Sequence, residues 1–322
     1  MASGGHCSRW GSPTTFVRSR ESKVNEQPLV GIDIGGTQTR LGLFLGGELA
    51  ARESFPTRDF PRLKRELRRF LSRVGGARLQ AIGVGAPAPL DMHRGVIHGC
   101  PNLPHWDGVE LVAELSQEHR CPVYLANDAS CAALGELEFG HRARDFVYLT
   151  WSTGIGGGIV AGGRLVWGTE GGAGEVGHMV LWPEGPPCRC GKRGCLEAIA
   201  SGTGISRAAR EELGEELSAK EVVERARAGQ PPAQRIVFRA AHALGQAISI
   251  LAEVLEPELV VLGGGLTRAW DFLGPLVEEA LERFSRQAPK LALTPLGDDV
   301  GLYGAAALPR HFPRRSATDL QL

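Results

Sequence analysis

An α/β fold built from two successive units is predicted by three observations. Strand-like and helical runs alternate from Leu29 onward. A glycine-rich hairpin pattern recurs, because Gly42, Leu43, Phe44, Gly46, Gly47 and Leu49 align with Gly158, Ile159, Val160, Gly162, Gly163 and Leu165 at a constant offset of 116 residues. Glycine is also abundant, 44 of 322 residues, about twice the usual share of roughly 7%, without the period of collagen. Two similar hairpins at equivalent places in successive α/β units suggest duplicated domains facing a shared cleft.

The elements follow in order. Residues 29–34 read as a buried strand, with 41–45 as its hairpin partner, and 61–74 as an amphipathic helix. A strand at 79–84, a helix at 107–119, a short strand at 123–126 and a helix at 129–138 complete the first series. The second begins with a hairpin, 146–150 and 158–161, continues with helices through much of 205–255, and reaches a short strand at 259–262 before Gly263, Gly264 and Gly265.

Composition excludes several function classes. Lys+Arg 36 balances Asp+Glu 36, so no overall basic field draws nucleic acid or an anionic membrane. The most apolar stretch, 248–266, is interrupted by Glu253, Glu256, Pro257 and Glu258, which leaves no run of about 18 apolar residues for a membrane span. Residues 1–28 are polar and rich in Ser and Arg, lack the apolar core of a signal peptide, and are expected to form a disordered leader. A cytoplasmic protein with reduced thiols is therefore expected, and 7 cysteines, an odd number, argue against a fully paired disulfide framework.

Three motifs carry candidate chemistry. Asp33-Ile-Gly35-Gly36-Thr37 ends the first strand. Such a turn can bring N–H groups and hydroxyls to phosphate oxygens, with Asp33 beside a magnesium ion or its waters; it could equally be a tight hairpin. Thr153, Gly154 and Gly156 form a similar turn in the second unit. Neither a Walker A string nor a Rossmann fingerprint following a strand is found. Asn127 and Asp128 stand where a strand passes into a helix, a place where ligands gather in α/β proteins. Asp128 could be a helix cap or a general base beside a substrate hydroxyl. The most specific signal is Glu175-x-Gly-His178 followed by Cys188, Cys190, Cys195 and Glu197. One His and three Cys make a closed tetrahedral zinc site that would pin the loop carrying Glu175 and His178. Cys7, Cys100, Cys121 and Cys131 are scattered and are read as bystanders.

Together these residues resemble the ROK group of bacterial sugar kinases and repressors, within the actin-like (sugar kinase/Hsp70) superfamily, over about residues 29–308. The resemblance implies two actin-like (ribonuclease H-like) domains with a cleft between them, 29–126 and 127–300. A helix near 301–310 would complete the first domain, and 311–322 would be a tail. It implies Asp128 as the base that takes the proton of a hexose 6-hydroxyl, and Asn102, Asn127, Glu175, His178 and Glu197 as sugar ligands. Asp33, Gly35, Gly36, Thr37, Thr153, Gly154, Gly156, Gly264 and Gly265 would surround ATP and Mg²⁺. His178, Cys188, Cys190 and Cys195 would hold structural Zn²⁺. Repressor members carry an N-terminal helix-turn-helix domain, for which 28 polar residues are too few, so the kinase branch is expected. The ten-residue interval from His178 to Cys188, with Pro101-Asn102-Leu103-Pro104, resembles glucokinases. Kinases for mannose, fructose or N-acetylhexosamine and a non-catalytic sugar sensor are the alternatives, and a homodimer or homotetramer is implied. Gln38, where many members have Lys, and Trp151-Ser152 depart from the commonest pattern beside the nucleotide turns and bear on donor preference and rate.

Overall fold

The computed structural model describes residues 27–75, 78–87, 89–99 and 103–313; most of the expected leader, Asn102 and the tail from 314 lie outside the described residues. The chain opens with β1 (Leu29–Ile34), β2 (Gln38–Leu45) and β3 (Glu48–Pro56), an antiparallel meander. Next comes α1 (Phe60–Arg73). Its cap, Asp59, accepts from the Arg62 N–H at 2.8 Å, and it buries Phe60, Leu63, Leu67 and Phe70 at helical spacing. Then follow β4 (Ala81–Ala86), a small ribbon of β5 (Leu90–Asp91) and β6 (Val96–Ile97), α2 (Leu111–His119) and β7 (Val123–Asn127). These give a five-stranded sheet in the order β3-β2-β1-β4-β7, in which β1, β4 and β7 run parallel.

After α3 (Asp128–Glu138) the pattern repeats with β8 (Phe146–Trp151), β9 (Ile155–Ala161) and β10 (Arg164–Leu165). Four helices come next: α4 (Leu196–Ala200), α5 (Gly202–Leu213), α6 (Ala219–Arg227) and α7 (Pro231–Leu255). The chain finishes with β11 (Leu259–Gly263), α8 (Trp270–Phe284), β12 (Lys290–Leu293) and α9 (Val300–His311). The second sheet runs β10-β9-β8-β11-β12, strand for strand the order of the first. The repeated hairpins also share their turn. Gly46 and Gly47 have φ of 56° and 81°, and Gly162 and Gly163 have 59° and 75°, the two left-handed residues that a two-residue hairpin with native twist requires.

Two helices lie between the sheets. α9 packs on β1 and β4 of the first sheet, α3 packs on β8 and β9 of the second, and the two helices pack on each other. Backbone meets backbone at these contacts. A Cβ on Gly304 of α9 would lie 1.5 Å from the Cys131 carbonyl oxygen of α3, and one on Gly83 of β4 would lie 1.7 Å from the Ala305 carbonyl oxygen. The glycine excess therefore serves helix-to-sheet approach as well as the turns.

Some elements differ from the sequence expectation. β2 and β9 begin earlier, at Gln38 and Ile155. The helix expected over 107–119 is shorter, starting at Leu111, because Gly108 takes a φ of 73° and Val109 bridges to Ile97; ahead of it Pro104–Trp106 forms a 3-10 turn whose buried Trp106 indole N–H donates to the Arg58 carbonyl at 2.9 Å. Helix α3 starts at Asp128, with Asn127 as its cap, so the capping reading of Asp128 is corrected.

Replacing Gly304 by Ala should destabilise the fold by about 3 kcal/mol or more, since the clash is with backbone that cannot rotate away. Gly172→Ala, where an added Cβ meets nothing within 4 Å, should change little. Thermal unfolding of the two variants checks the contrast, and equal melting temperatures would refute the close-packing account.

Candidate active site and metal centre

The site forms where the carboxyl ends of β1, β7 and β8 converge with the first turn of α3. Asn127 ends β7 and caps α3 through its side-chain oxygen. Oδ1 accepts from the Ala129 N–H at 2.9 Å and from the Ser130 N–H at 3.3 Å, which leaves the amide NH₂ for other partners. Asp128 is the first helical residue, and its Oδ1 also accepts from the Ala129 N–H at 2.8 Å. A Cβ on Gly85 would stand 3.7 Å from the Asp128 Cα, and one on Gly156 3.0 Å from the Ala129 Cβ, so Asp128 sits at the seam between the two sheets. Burial pushes its carboxyl up to about 6, the Asp33 and Glu175 charges adding to the rise and the Ala129 N–H opposing it.

Asp33, at the end of β1, is buried, and its Oδ2 accepts from Arg40 Nη1 at 2.9 Å. Burial raises its carboxyl, Arg40 opposes this by charge and hydrogen bond, and Asp299 adds to the rise. Arg40 was not singled out from sequence. The signal was available, because Arg40 is the direct cross-strand partner of Asp33 in the β1–β2 register, a pairing hidden by starting the second strand at residue 41. The turn between the strands leaves Gly36, Thr37 and Gln38 exposed and Gly35 half-buried.

In the second sheet, Thr153 is exposed and Gly154 half-buried between β8 and β9. Gly264, with φ of 95°, follows β11 so close to β8 that a Cβ would meet the Trp151 carbonyl oxygen at 2.6 Å. Gly265 faces open space. Trp151 itself turns inward, fully buried, and its indole N–H donates to the Ala200 carbonyl at 2.7 Å. That departure from the family pattern therefore belongs to the core, whereas Gln38 is exposed on the turn.

The remaining sugar candidates come together, with Asn102 excepted. Glu175 precedes the 3-10 turn Val176–His178, and its Oε2 lies 4.0 Å from His178 Nε2. Partial burial raises the Glu175 carboxyl, with His178 opposing and Glu197 adding. Glu197, in the first turn of α4, accepts from the Ile155 N–H at 3.0 Å through Oε2. Its Oε2 would be only 2.6 Å from a Cβ on Gly154. The carboxylate thus ties the cysteine loop to the second glycine turn.

The cysteine loop is a small ribbon, with bridges Val180 to Cys195 and Pro187 to Arg193. The Cys188 N–H donates to the Lys192 carbonyl at 2.8 Å and the Gly191 N–H to the Cys188 carbonyl at 3.1 Å, so the chain reverses tightly between the cysteines. Ligand atoms of His178, Cys188, Cys190 and Cys195 all lie within 4.8 Å of one another. His178 Nδ1 is 3.6 Å from Cys188 Sγ, and Cys190 Sγ is 3.6 Å from Cys195 Sγ. A one-His, three-Cys set at this spacing suits a tetrahedral zinc ion. Nδ1 is the ring nitrogen on the cysteine side and Nε2 the one on the Glu175 side. Trp182 Nε1 donates to Gln246 Oε1 at 3.2 Å, anchoring the loop on α7.

Residues 29–311 match the ROK family. The chain belongs to the ROK family. The glucokinase of Thermotoga maritima is 35% identical to this ROK chain over 305 residues, spanning 87% of the chain and 96% of that protein. Among solved structures, the ROK hexokinase from Thermus thermophilus superposes with a TM-score of 0.81 at 38% identity, covering 87% of this chain and 97% of that one. The ROK family glucokinase from Streptomyces griseus in complex with glucose and AMPPNP gives 0.74 at 27% identity, covering 87% and 98%. This ROK chain has the actin-like fold of these sugar kinases. Among the described residues, no helix is long and apolar enough to cross a membrane.

Native mass spectrometry should show one zinc per chain of this ROK protein, lost when Cys188 and Cys190 are both replaced by Ser. A metal-free protein with intact hexose binding would refute the zinc assignment.

Proposed function

We propose that the protein is an ATP-dependent hexokinase of glucokinase type, transferring the γ-phosphoryl group of ATP to the 6-hydroxyl of glucose or a related hexose. One observation carries this reading. Asp128, a carboxylate with a pKa of about 6, stands at the head of a helix between two glycine–threonine turns from separate sheets, with Glu175, His178 and Glu197 clustered alongside.

The roles follow from the chemistry of the groups. Asp128 takes the proton of the 6-hydroxyl as that oxygen forms its bond to the γ-phosphorus and the bond to the β-phosphate oxygen breaks, releasing ADP. A base with a pKa near the working pH suits this task. Glu175, the Nε2 edge of His178 and the Asn127 amide hydrogen-bond other hydroxyls, and Glu197 adds its free Oε1. The turns at Gly35–Thr37 and Thr153–Gly156 hold the phosphates, and the Gly264–Gly265 turn borders the adenosine. Magnesium, when bound with ATP, supplies charge neutralisation on the phosphates. Asp33 offers one carboxylate with Oδ2 already held by Arg40, which suits contact with a water of that ion. His178, through Nδ1 on the cysteine side, with Cys188, Cys190 and Cys195 would hold zinc, which would fix the orientation of the His178 ring. Residues 29–126 with α9, and 127–300, are read as the two bodies flanking the cleft. The balanced net charge suits the reading of a cytoplasmic protein whose partner is a hexose rather than nucleic acid or membrane. The homodimer or homotetramer that the family resemblance implies stays part of this reading.

A panel of hexoses with ATP and Mg²⁺ tests the reading, and mannose, fructose or an N-acetylhexosamine preferred over glucose would reassign the substrate. No sugar-dependent ADP release with any of them would favour the sensor. Asp128→Asn should lower kcat by about 10²-fold or more while leaving hexose affinity intact; an unchanged kcat would remove Asp128 from its role.

The raised Asp128 pKa has two consequences of opposite sign. Catalysis needs the carboxylate, so kcat/KM should fall as pH drops through about 6 rather than near the ordinary aspartate value. Stability runs the other way. The folded state holds this proton more tightly than the unfolded chain, so the contribution is present below the ordinary aspartate value of 3.8 and lost as pH rises through about 6. Asp128→Asn should therefore keep or raise the melting temperature at pH 7.5. An acid limb near pH 4, or a marked loss of thermal stability in the variant, would contradict this account.

A further inference from the structure

Behind each glycine–threonine turn stands a second threonine that takes the turn's carbonyl oxygens. Thr57, just past the end of β3, donates its hydroxyl to the Gly35 carbonyl at 2.8 Å and its N–H to the Thr37 carbonyl at 2.9 Å. Proton counting orders the next bond. The single Thr57 hydroxyl hydrogen is spent on Gly35, so at the 2.8 Å contact between the two hydroxyls Thr39 must be the donor. Thr39 is 1% exposed, which shelters this chain from water. In the second unit, Thr203 in the first turn of α5 donates both its N–H, at 3.1 Å, and its hydroxyl, at 2.9 Å, to the Thr153 carbonyl. The adjacent Gly202 N–H donates to the Ser152 carbonyl at 2.8 Å.

The planar trans peptide turns this pinning into an orientation. A carbonyl and the N–H of the following residue point in opposite directions across one rigid plane. Drawing the Gly35 oxygen back therefore sends the Gly36 N–H forward, and drawing back the Thr153 oxygen sends the Gly154 N–H forward. Glycine turns need such a device, because without a Cβ their peptide planes rotate easily, and a carbonyl turned towards an anion repels it.

We infer that Thr57 and Thr203 are positioning residues of the nucleotide site, which aim the Gly36 and Gly154 N–H groups at the phosphates by holding the carbonyls behind them. The inference rests on the kinase reading of the two turns. Thr57 and Thr203 arise from different elements, one after a strand and one in a helix, so the duplicated hairpins alone do not account for the match.

Calorimetric titration with Mg·ADP and, separately, with the preferred hexose tests it. Thr57→Val should weaken ADP binding about tenfold, the scale of one buried hydrogen bond with its orienting effect, and raise KM for ATP, while hexose affinity stays within about twofold. Thr57→Ser should restore ADP binding. Thr203→Val should lose less, because its N–H bond remains, and its exposed position makes it a usable second variant if Thr57→Val folds poorly. Unchanged ADP affinity in Thr203→Val and in every Thr57 variant that folds, or an equal loss of ADP and hexose affinity, would overturn the inference alone. A wild-type protein that binds no adenine nucleotide would remove the kinase reading and this inference together.

Discussion

The contact between α3 and α9 is the constraint on which the rest of the molecule depends. Each helix belongs by packing to a different sheet, and each touches the other at backbone distance, because the Gly304 position leaves no room for a side chain against the Cys131 carbonyl. Two five-stranded sheets are thereby brought close enough for the first turn of α3 to lie between their carboxyl ends. Asp128 is placed by this seam rather than by its own loop. Helix-borne placement is stiffer than a loop can give, which matters where a shift of about 1 Å changes rates greatly.

The same seam explains the electrostatics. Asp33 and Asp128 approach each other from opposite sides of the contact, and burial makes both charged forms unfavourable, with the Asp299 charge adding at Asp33 and the Asp33 charge adding at Asp128. Such groups persist only when packing elsewhere over-determines their position. Arg40 relieves Asp33 directly, whereas Asp128 has no such cation among the described residues and keeps a raised pKa suited to accepting a proton. Neighbouring carboxylates in different surroundings are thus tuned towards different tasks.

Much of this was legible in the sequence, for identifiable reasons. The buried strands β1, β4 and β8 announce themselves as apolar and glycine runs broken only by Asp33 in β1 and Thr150 in β8, and the hairpin repeat survives because two left-handed glycines are hard to replace. The cysteine loop is legible because its ligands are close in the chain. β3, by contrast, reads Glu-Leu-Ala-Ala-Arg-Glu-Ser-Phe-Pro; it is an edge strand whose charged residues face water and blur the alternation. β12, only Lys290–Leu293, is too short to signal itself. Thr57 and Thr203 lie far from any motif and acquire meaning only when the chain brings them behind Gly35 and Thr153. Arg40 stayed hidden through a boundary error of three residues.

The cap on α3 has a consequence for how a ligand is read. Because the helix consumes the Asn127 oxygen, the amide cannot flip, and its remaining face only donates. The next side chain along, Asp128, only accepts when ionised. A hydroxyl received between them must point its lone pair at one and its hydrogen at the other. On the proposed kinase reading, the helix start would impose a polarity on an alcohol held there: direction along the backbone would become direction of proton flow, set before any phosphate arrives.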